Sequence, residues 1–165
     1  MLLAPVVHGD GVASPDVRSV FLVAKSENRN QVHYGVRLDA GCAPVGKEPA
    51  FAYWRMLERG PATIEPLLGI EQPAYGFAEN RLVARTEHGG RVRVKLAALP
   101  SRPIVIDVWE GENGCAATAS TTIGGVPASL TSVFVKLRWL FGVDHLVVSG
   151  RASDDGRVVC ETVKP

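Results

Sequence analysis

The residues best suited to metal binding or nucleophilic catalysis are scattered along this chain. Its four histidines form no His-x-His or His-x-x-x-His pair, and its three cysteines form no Cys-x-x-Cys pair. No Gly-x-Ser-x-Gly turn is present to expose a nucleophilic serine, and no glycine-rich stretch carries the lysine of a phosphate-binding loop. We therefore expect no catalytic residue, no metal site and no cofactor.

The cysteines, Cys42, Cys115 and Cys160, are odd in number and far apart in the sequence. Such spacing predicts three ordinary thiols in a reducing compartment rather than a disulfide framework. The chain starts without the basic residues of a signal peptide, and no apolar run approaches the roughly 20 residues that span a bilayer. We expect a cytoplasmic protein with no membrane span.

Four aromatic residues could line a pocket for a small molecule: Tyr34, Tyr53, Trp54 and Tyr75. Their rings are apolar and their tips are polar, a combination that suits small-molecule sites. The alternative is packing in the hydrophobic core, with the polar tips hydrogen-bonded to loops. The sequence leaves both interpretations open.

A basic stretch lies at residues 81–102, in a chain whose net charge is +1. It has six positive residues against one acidic residue, a local net charge of +5: Arg81, Arg85, Arg91, Arg93, Lys95 and Arg102 against Glu87. Such asymmetry predicts a surface for a protein partner or an anion, and the alternative is the solvated face of an amphipathic hairpin. No aromatic residue is interleaved with the arginines for base stacking, which argues against nucleic acid.

Residues 19–38 predict a β-hairpin around which the rest of the chain is organised. The apolar run at 20–24 suits a buried strand, and residues 32–38 alternate as a half-buried strand does. Between them lie Asn28 and Asn30, whose side chains can hydrogen-bond the local backbone and which tolerate positive φ. We expect both to be structural turn residues that set the register of the hairpin. The alternative places their amides at a pocket mouth near Tyr53 or Tyr75.

The rest of the chain predicts further short strands separated by turns, including a hairpin around residues 88–90. About nine or ten strands, with at most one short helix at residues 63–70 and Thr63 as its N-cap, indicate an all-β protein. We predict an antiparallel β-sandwich or squat β-barrel. Residues 1–18 lack periodic apolar positions, which predicts a flexible N-terminal arm before a single β-rich domain at 19–165.

Several short motifs along the chain occur together in one known family. They are Val-Phe-Leu-Val at 20–23, Ser26-x-Asn28-x-Asn30-x-Val32-x-Tyr34, Glu48-Pro49 before Tyr53-Trp54, Glu71 before Ala74-Tyr75-Gly76, and Leu-Val-Val-Ser-Gly at 146–150 before Val159-Cys160-Glu161. With these motifs, the chain from residue 19 onward resembles the bacterial domain-of-unknown-function family 4833. The resemblance implies a β-rich fold and a domain boundary but no activity, and some members of that family look exported.

Three classes of function follow from these observations. We expect first a non-catalytic binding or interaction module, as a subunit of a larger bacterial assembly, with a protein partner or self-assembly. The second class is a small-ligand-binding β-barrel with an aromatic pocket. A hydrolase-type enzyme comes last, because no catalytic constellation is visible. An enclosed aromatic cavity would favour the second class, whereas a flat apolar patch or an assembly would favour the first.

Overall fold

In the computed structural model of this protein, residues 20–25, 29–60, 63–139 and 142–165 are described, with the backbone alone for 22–25. These residues form eleven strands, one 3₁₀ turn at Gly69–Glu71 and one short helix, α1, at Gln72–Tyr75. The strands are β1 Phe21–Lys25, β2 Gln31–Val36, β3 Ala50–Arg55, β4 Ile64–Pro66, β5 Phe77–Thr86, β6 Gly89–Leu96, β7 Ile104–Gly111, β8 Gly114–Ile123, β9 Val126–Leu137, β10 Val143–Ala152 and β11 Val158–Val163. The predicted arm at residues 1–18 lies outside the described residues.

β1 and β2 form the predicted hairpin, with Phe21 opposite Tyr34. Alternation in β2 turns Val32, Tyr34 and Val36 to one face of the strand and His33 to the other. β2 is buried on both faces because it is an inner strand, paired with β1 on one side and β3 on the other.

The sheet forks at β9 because this long strand has different neighbours along one edge. Residues 126–129 pair with β8, whereas residues 132–135 pair in parallel with β1. The other edge of β9 pairs with β10, and β11 follows β10. One layer therefore runs through β4, β3, β2, β1, β9, β10 and β11. The second layer continues from the fork through β8, β7, β6 and β5 and packs against the first. The arrangement is sandwich-like and not a closed barrel, which confirms the predicted all-β class.

The core lies between the two layers and takes alternate residues from each. Fully buried side chains come from β6 and β7 on one side and from β9 and β10 on the other. They include Val92, Val94, Ile104, Ile106, Val133, Val135, Leu146 and Val148. Because burial of one such side chain contributes about 1.5–3 kcal/mol, this apolar band is the main source of stability.

A disulfide joins Cys42, in the loop between β2 and β3, to Cys115 near the start of β8. The prediction of three free thiols is therefore wrong for two of them, and Cys160 is the free cysteine of the described residues. Cys42 has a φ of 68°, and its turn is held by Asp39, whose Oδ1 accepts hydrogen bonds from the N–H groups at positions 41 and 43. The disulfide fastens one layer of the sandwich to the other.

A second contact joins the layers at the opposite end of β7. Arg102, which precedes β7, donates hydrogen bonds of 2.6 and 3.0 Å to the two carboxylate oxygens of Glu161 in β11. Glu161 Oε2 also accepts a hydrogen bond of 2.8 Å from the N–H of Gly124 in the β8–β9 turn. The Arg102 hydrogen bonds, then the one from Gly124, lower the pKa of Glu161 to about 2.

The short helix lies later in the chain than predicted. Residues 64–66 form β4, which pairs with β3, so the predicted helix at 63–70 with Thr63 as its N-cap is wrong. α1 begins at Gln72 and has a proline in its first turn, where proline is favoured, but the residue is Pro73 rather than Pro66. A carboxylate oxygen of Glu71 accepts the N–H of Leu68 at 2.8 Å and stabilises the preceding turn.

Candidate functional site

Three of the four predicted pocket aromatics, Tyr34, Trp54 and Tyr75, lie together in the core. Tyr34 Oη donates a hydrogen bond of 2.7 Å to the carbonyl oxygen of Tyr75. The Trp54 ring meets the Tyr75 ring edge-on with centroids 5.1 Å apart, and Phe21 stacks on Tyr34 at 4.6 Å. Burial raises the pKa of Tyr34 well above its usual value, so the hydroxyl stays a neutral donor. These contacts are those of core packing.

The recesses next to this cluster are small. A cavity of about 130 Å³ lies beside Trp54 and Asn30, and Trp54 Nε1 donates a hydrogen bond of 2.8 Å to a wall residue, Glu71. A second recess of about 250 Å³ lies between β3 and β5. Both volumes are below the roughly 300–1,000 Å³ of ordinary small-molecule sites.

A third hollow, of about 680 Å³, is an open depression on the surface over the turn that carries Cys42. Asp39 and Arg85 line it, and their side chains form an ion pair of 2.7 Å with each other. Two of its charged groups therefore pair with each other, the third, Glu87, is exposed, and the open shape does not enclose a ligand.

Tyr53 points to the opposite face of the sheet from Trp54 and belongs to a different cluster. The rings of His33 and Phe51 lie beside it, with centroids 5.7 and 5.9 Å from its own. The guanidinium of Arg37 lies over the Phe51 ring, 5.3 Å from the centroid. We call His33, Arg37, Phe51 and Tyr53 the outer-face patch.

The pairing of β2 with β3 builds the outer-face patch. It places His33 directly opposite Tyr53 and Gly35 opposite Phe51. Residues opposite each other on one face of an antiparallel pair are close enough for their side chains to interact. The patch is therefore a consequence of the register of these two strands.

His33 is the buried polar member of the outer-face patch, with 7% of its surface exposed. Its Nε2 lies 3.1 Å from Oε1 of Gln31, while Nδ1 is buried and has no hydrogen-bond partner among the described residues. Burial, and then the positive charge of Arg55, lower the pKa of His33, so the ring is neutral near pH 7. The patch thus combines apolar rings with one imidazole whose hydrogen bonding is incomplete.

The predicted basic surface is formed by β5 and β6, but acidic residues from neighbouring positions lie within it. Glu79 contacts three of the cations. They are Arg81 at 3.0 Å, Arg93 at 3.1 Å and Lys95 at 3.4 Å.

The other two predicted surface cations are also paired. Arg85 contacts Asp39 at 2.7 Å, and Arg91 contacts Asp107 at 2.6 Å. None of these carboxylates belongs to the stretch at 81–102, so the local charge of +5 counted along the sequence is reduced in space. Three cations around Glu79 still leave a positive excess there.

Asn30 makes a long-range contact with Glu58. Its side chain is buried; Oδ1 accepts a hydrogen bond of 3.3 Å from the N–H of Glu58, and Nδ2 donates one of 3.5 Å to Glu58 Oε2. Among the described residues Cys42 is the only non-glycine residue with positive φ, so Asn30 does not use the positive φ that its residue type tolerates. Asn28 lies outside the described residues. Asn30 connects the start of β2 to the turn between β3 and β4.

The sequence alone does not single out His33, Arg37 or Phe51 as members of a surface. Alternation already separates Tyr53 from Trp54, and it separates His33 from Tyr34 in the same way. That signal predicts two aromatic clusters on opposite faces. The missing information was the register between β2 and β3, which a single sequence does not reveal.

Two features of the part of the chain that is described limit its chemistry. No three histidine, cysteine, aspartate or glutamate side chains there lie close enough together to hold a metal ion. No helix among the described ranges is long and apolar enough to cross a membrane.

The family described as a domain of unknown function, DUF4833, matches residues 21–162, from the first residue of β1 into β11. The chain belongs to DUF4833. Its membership confirms the resemblance that the sequence motifs carry. No curated protein and no solved structure matches the chain. The outer-face patch, the disulfide and the Arg102–Glu161 contact all lie within the DUF4833 region.

Proposed function

We propose that this DUF4833 domain is a non-catalytic interaction module that binds a protein partner through the outer-face patch. The observation that carries the proposal is the patch itself: stacked Phe51 and Tyr53 rings with Arg37 beside them, on the side of the sheet away from the core. Aromatic residues and arginine are enriched in the centres of protein interfaces, and Tyr and Arg are frequent among residues that dominate binding energy.

The charges near the patch favour a partner with acidic side chains. Arg37 is exposed, and Arg55 follows Tyr53 by two residues, on the same face of β3. Arg55 is close enough for its charge to lower the pKa of His33. A partner that places carboxylates near these guanidinium groups and apolar side chains on the rings would complement both features.

The other surfaces support the proposal by contrast. The recesses beside Trp54 and β3 are smaller than ordinary ligand sites, and each of the five cations of the β5–β6 hairpin already contacts a carboxylate. We also propose that such a module acts as a subunit of a larger assembly.

The compartment also enters the proposal. Disulfides persist in oxidising compartments and are rare in the cytosol, so the Cys42–Cys115 bond favours an oxidising location over the cytoplasm expected from the sequence. Thiol alkylation in intact cells would test this. One modified cysteine per chain is expected in an oxidising compartment, whereas three would support the cytoplasm.

The interaction can be tested by quantitative affinity capture with matched variants. We expect the amount of a protein captured by the wild type to fall at least about tenfold with Arg37→Ala/Tyr53→Ala, because such residues often contribute about 2 kcal/mol or more to binding. Arg91→Gln/Arg93→Gln is the matched control on the basic hairpin and should retain the same proteins. Loss with the hairpin variant and retention with the patch variant would refute the proposal and place the partner on the basic surface.

A further inference from the structure

Four strands of the seven-stranded layer, β1, β3, β9 and β11, run in the same direction. β1 is parallel to β9, while β3 and β11 are each antiparallel to a strand that is itself antiparallel to β1 or β9. The segments that follow these four strands therefore lie at one end of the layer. We call it the turn end; its described residues are 29–30, 55–60, 63–65, 136–139, 142–145 and 164–165.

The turn end exposes one large aromatic ring to solvent. Trp139, in the turn between β9 and β10, has 93% of its surface exposed, more than any other large hydrophobic residue among those described. Its indole therefore contributes little to the core, and its burial elsewhere would remove roughly 150–250 Å² from water. Tryptophan is also enriched where lipid headgroups meet water, because its ring is apolar and its N–H is polar.

Cations outnumber carboxylates at the turn end. The cations are Arg29, Arg55, Arg59, Lys136, Arg138 and Lys164, and the acidic side chains are Glu58, Glu65 and Asp144. With the terminal carboxylate of Pro165 counted as well, six positive groups face four negative ones, an excess of two in a chain whose side chains sum to +1. Arg59 contacts Glu65, and Arg138 lies 3.5 Å from Asp144.

Three of these cations are spread on both sides of Trp139. Arg29, Lys136 and Lys164 are exposed and form no ion pair with a described residue. In strand order, the β9–β10 turn lies between the β1–β2 turn, which carries Arg29, and the end of β11, which Lys164 follows. Three strand spacings of about 4.8 Å separate β1 from β11, so these cations span roughly 14 Å with the indole between them.

We propose that the turn end docks this protein onto the surface of an anionic phospholipid bilayer. The indole of Trp139 enters the headgroup region, and the three unpaired cations contact lipid phosphates. A fluid bilayer supplies negative charges at any lateral spacing and accepts an apolar ring between them, whereas a folded protein would need carboxylates at matching positions. The site does not depend on the function proposed for the outer-face patch.

Sedimentation with vesicles tests this docking site. The probes are vesicles of phosphatidylglycerol and phosphatidylcholine in equal parts, and vesicles of phosphatidylcholine alone, at about 0.1 M salt. Wild-type protein should sediment with the anionic vesicles only, and its tryptophan emission should shift to shorter wavelength on binding. Trp139→Ala should weaken binding by at least about tenfold and abolish the shift, and Lys136→Gln should weaken binding about fivefold.

Two matched controls remove an exposed group of the same type elsewhere. Trp109 lies on β7 in the other layer and is 45% exposed, and Lys47 is exposed before the start of β3, at the end of that strand away from the turn end. Trp109→Ala and Lys47→Gln should each bind the anionic vesicles as the wild type does.

Several results would overturn the proposal. Absence of binding to the anionic vesicles does so, as does equal binding to both kinds of vesicle. Equal weakening by Trp139→Ala and Trp109→Ala, or by Lys136→Gln and Lys47→Gln, does so as well, because the turn end would then have no special part. Capture of a protein that Trp139→Ala loses, without any binding to vesicles, would refute the bilayer and assign the turn end to a protein partner.

Discussion

The two contacts that join the layers lie at opposite ends of β7 and stabilise the fold by different physical means. Before β7, Arg102 and the backbone of Gly124 bind one carboxylate, Glu161. After β7, a covalent bond joins Cys115 to Cys42 across 73 residues of sequence. The ionic contact acts in the folded state and depends on pH, whereas the disulfide acts largely by restricting the unfolded chain and depends on redox conditions.

A sandwich that is not closed has ends at which no backbone hydrogen bonds join its two layers, and these two contacts secure such ends. The core band between the layers supplies most of the apolar burial, but it lies along the middle of the strands. The ends of the layers are loops and turns, which bury less apolar surface and open more easily. A covalent link at one end and a charge-assisted hydrogen-bond cluster at the other restrain these ends.

Removal of the disulfide should have the largest effect on stability. Cys42→Ala/Cys115→Ala is expected to lower the free energy of unfolding by about 2–5 kcal/mol, because a loop of this length loses much conformational freedom when it is closed. Urea denaturation monitored by circular dichroism measures the change. Wild-type protein in reductant should lose a similar amount.

Cys160→Ala is the matched control, since it removes the exposed cysteine and leaves the disulfide in place. Its unfolding midpoint should equal that of the wild type in oxidising buffer. If reductant leaves the wild-type midpoint unchanged, the disulfide does not contribute to the stability of this fold.

The disulfide also shows what the sequence could not predict. The alternation in β2 predicts its core face, and the apolar runs predict most strands, because these signals are local. Cys42 and Cys115 meet through a left-handed turn at Cys42 and the stacking of two layers, neither of which is visible in cysteine spacing. The outer-face patch could not be predicted for the same reason, because it depends on which residues of β3 lie opposite β2.

The ionic contact should have the next largest effect, and its sign with pH is fixed. The pKa of Glu161 is lowered from 4.5 to about 2, so its stabilising contribution is complete above about pH 4.5 and is lost as pH falls through about 2. Glu161→Gln should cost about 1–3 kcal/mol at pH 7, after allowance for partial exposure of the pair. The difference from the wild type should shrink as unfolding is measured from pH 5 down to pH 2.

Glu112→Gln is the control for this measurement, because Glu112 is an exposed residue of the turn between β7 and β8. This turn lies at the end of the β7–β8 hairpin away from Arg102 and Gly124. It should change stability little at any pH. A Glu161→Gln difference that is constant from pH 7 to pH 2 would contradict the ionic account and point to packing instead.

Asn30 provides a contact within one layer, and its loss should matter less than loss of either contact between layers. Asn30→Ala removes both hydrogen bonds to Glu58 and should cost about 1–2 kcal/mol in urea denaturation. Asn30→Gly should cost at least as much, because the position does not use positive φ and glycine adds freedom to the unfolded chain. Recovery of stability with glycine, relative to alanine, would show that a turn conformation matters after all.

The smallest effect is expected from deletion of residues 1–18, which lack periodic apolar positions. Both contacts between the layers, and all the buried core residues named above, lie beyond this segment. The melting temperature of the truncated protein should therefore stay within about 2 °C of the full chain, equivalent to roughly 0.5 kcal/mol. A fall of many degrees would show that the segment belongs to the core. It would then be a third source of stability, beside the two contacts at the ends of β7. Sedimentation of the same truncated protein separates stability from assembly. An unchanged melting temperature with a changed oligomeric state would make residues 1–18 an assembly arm.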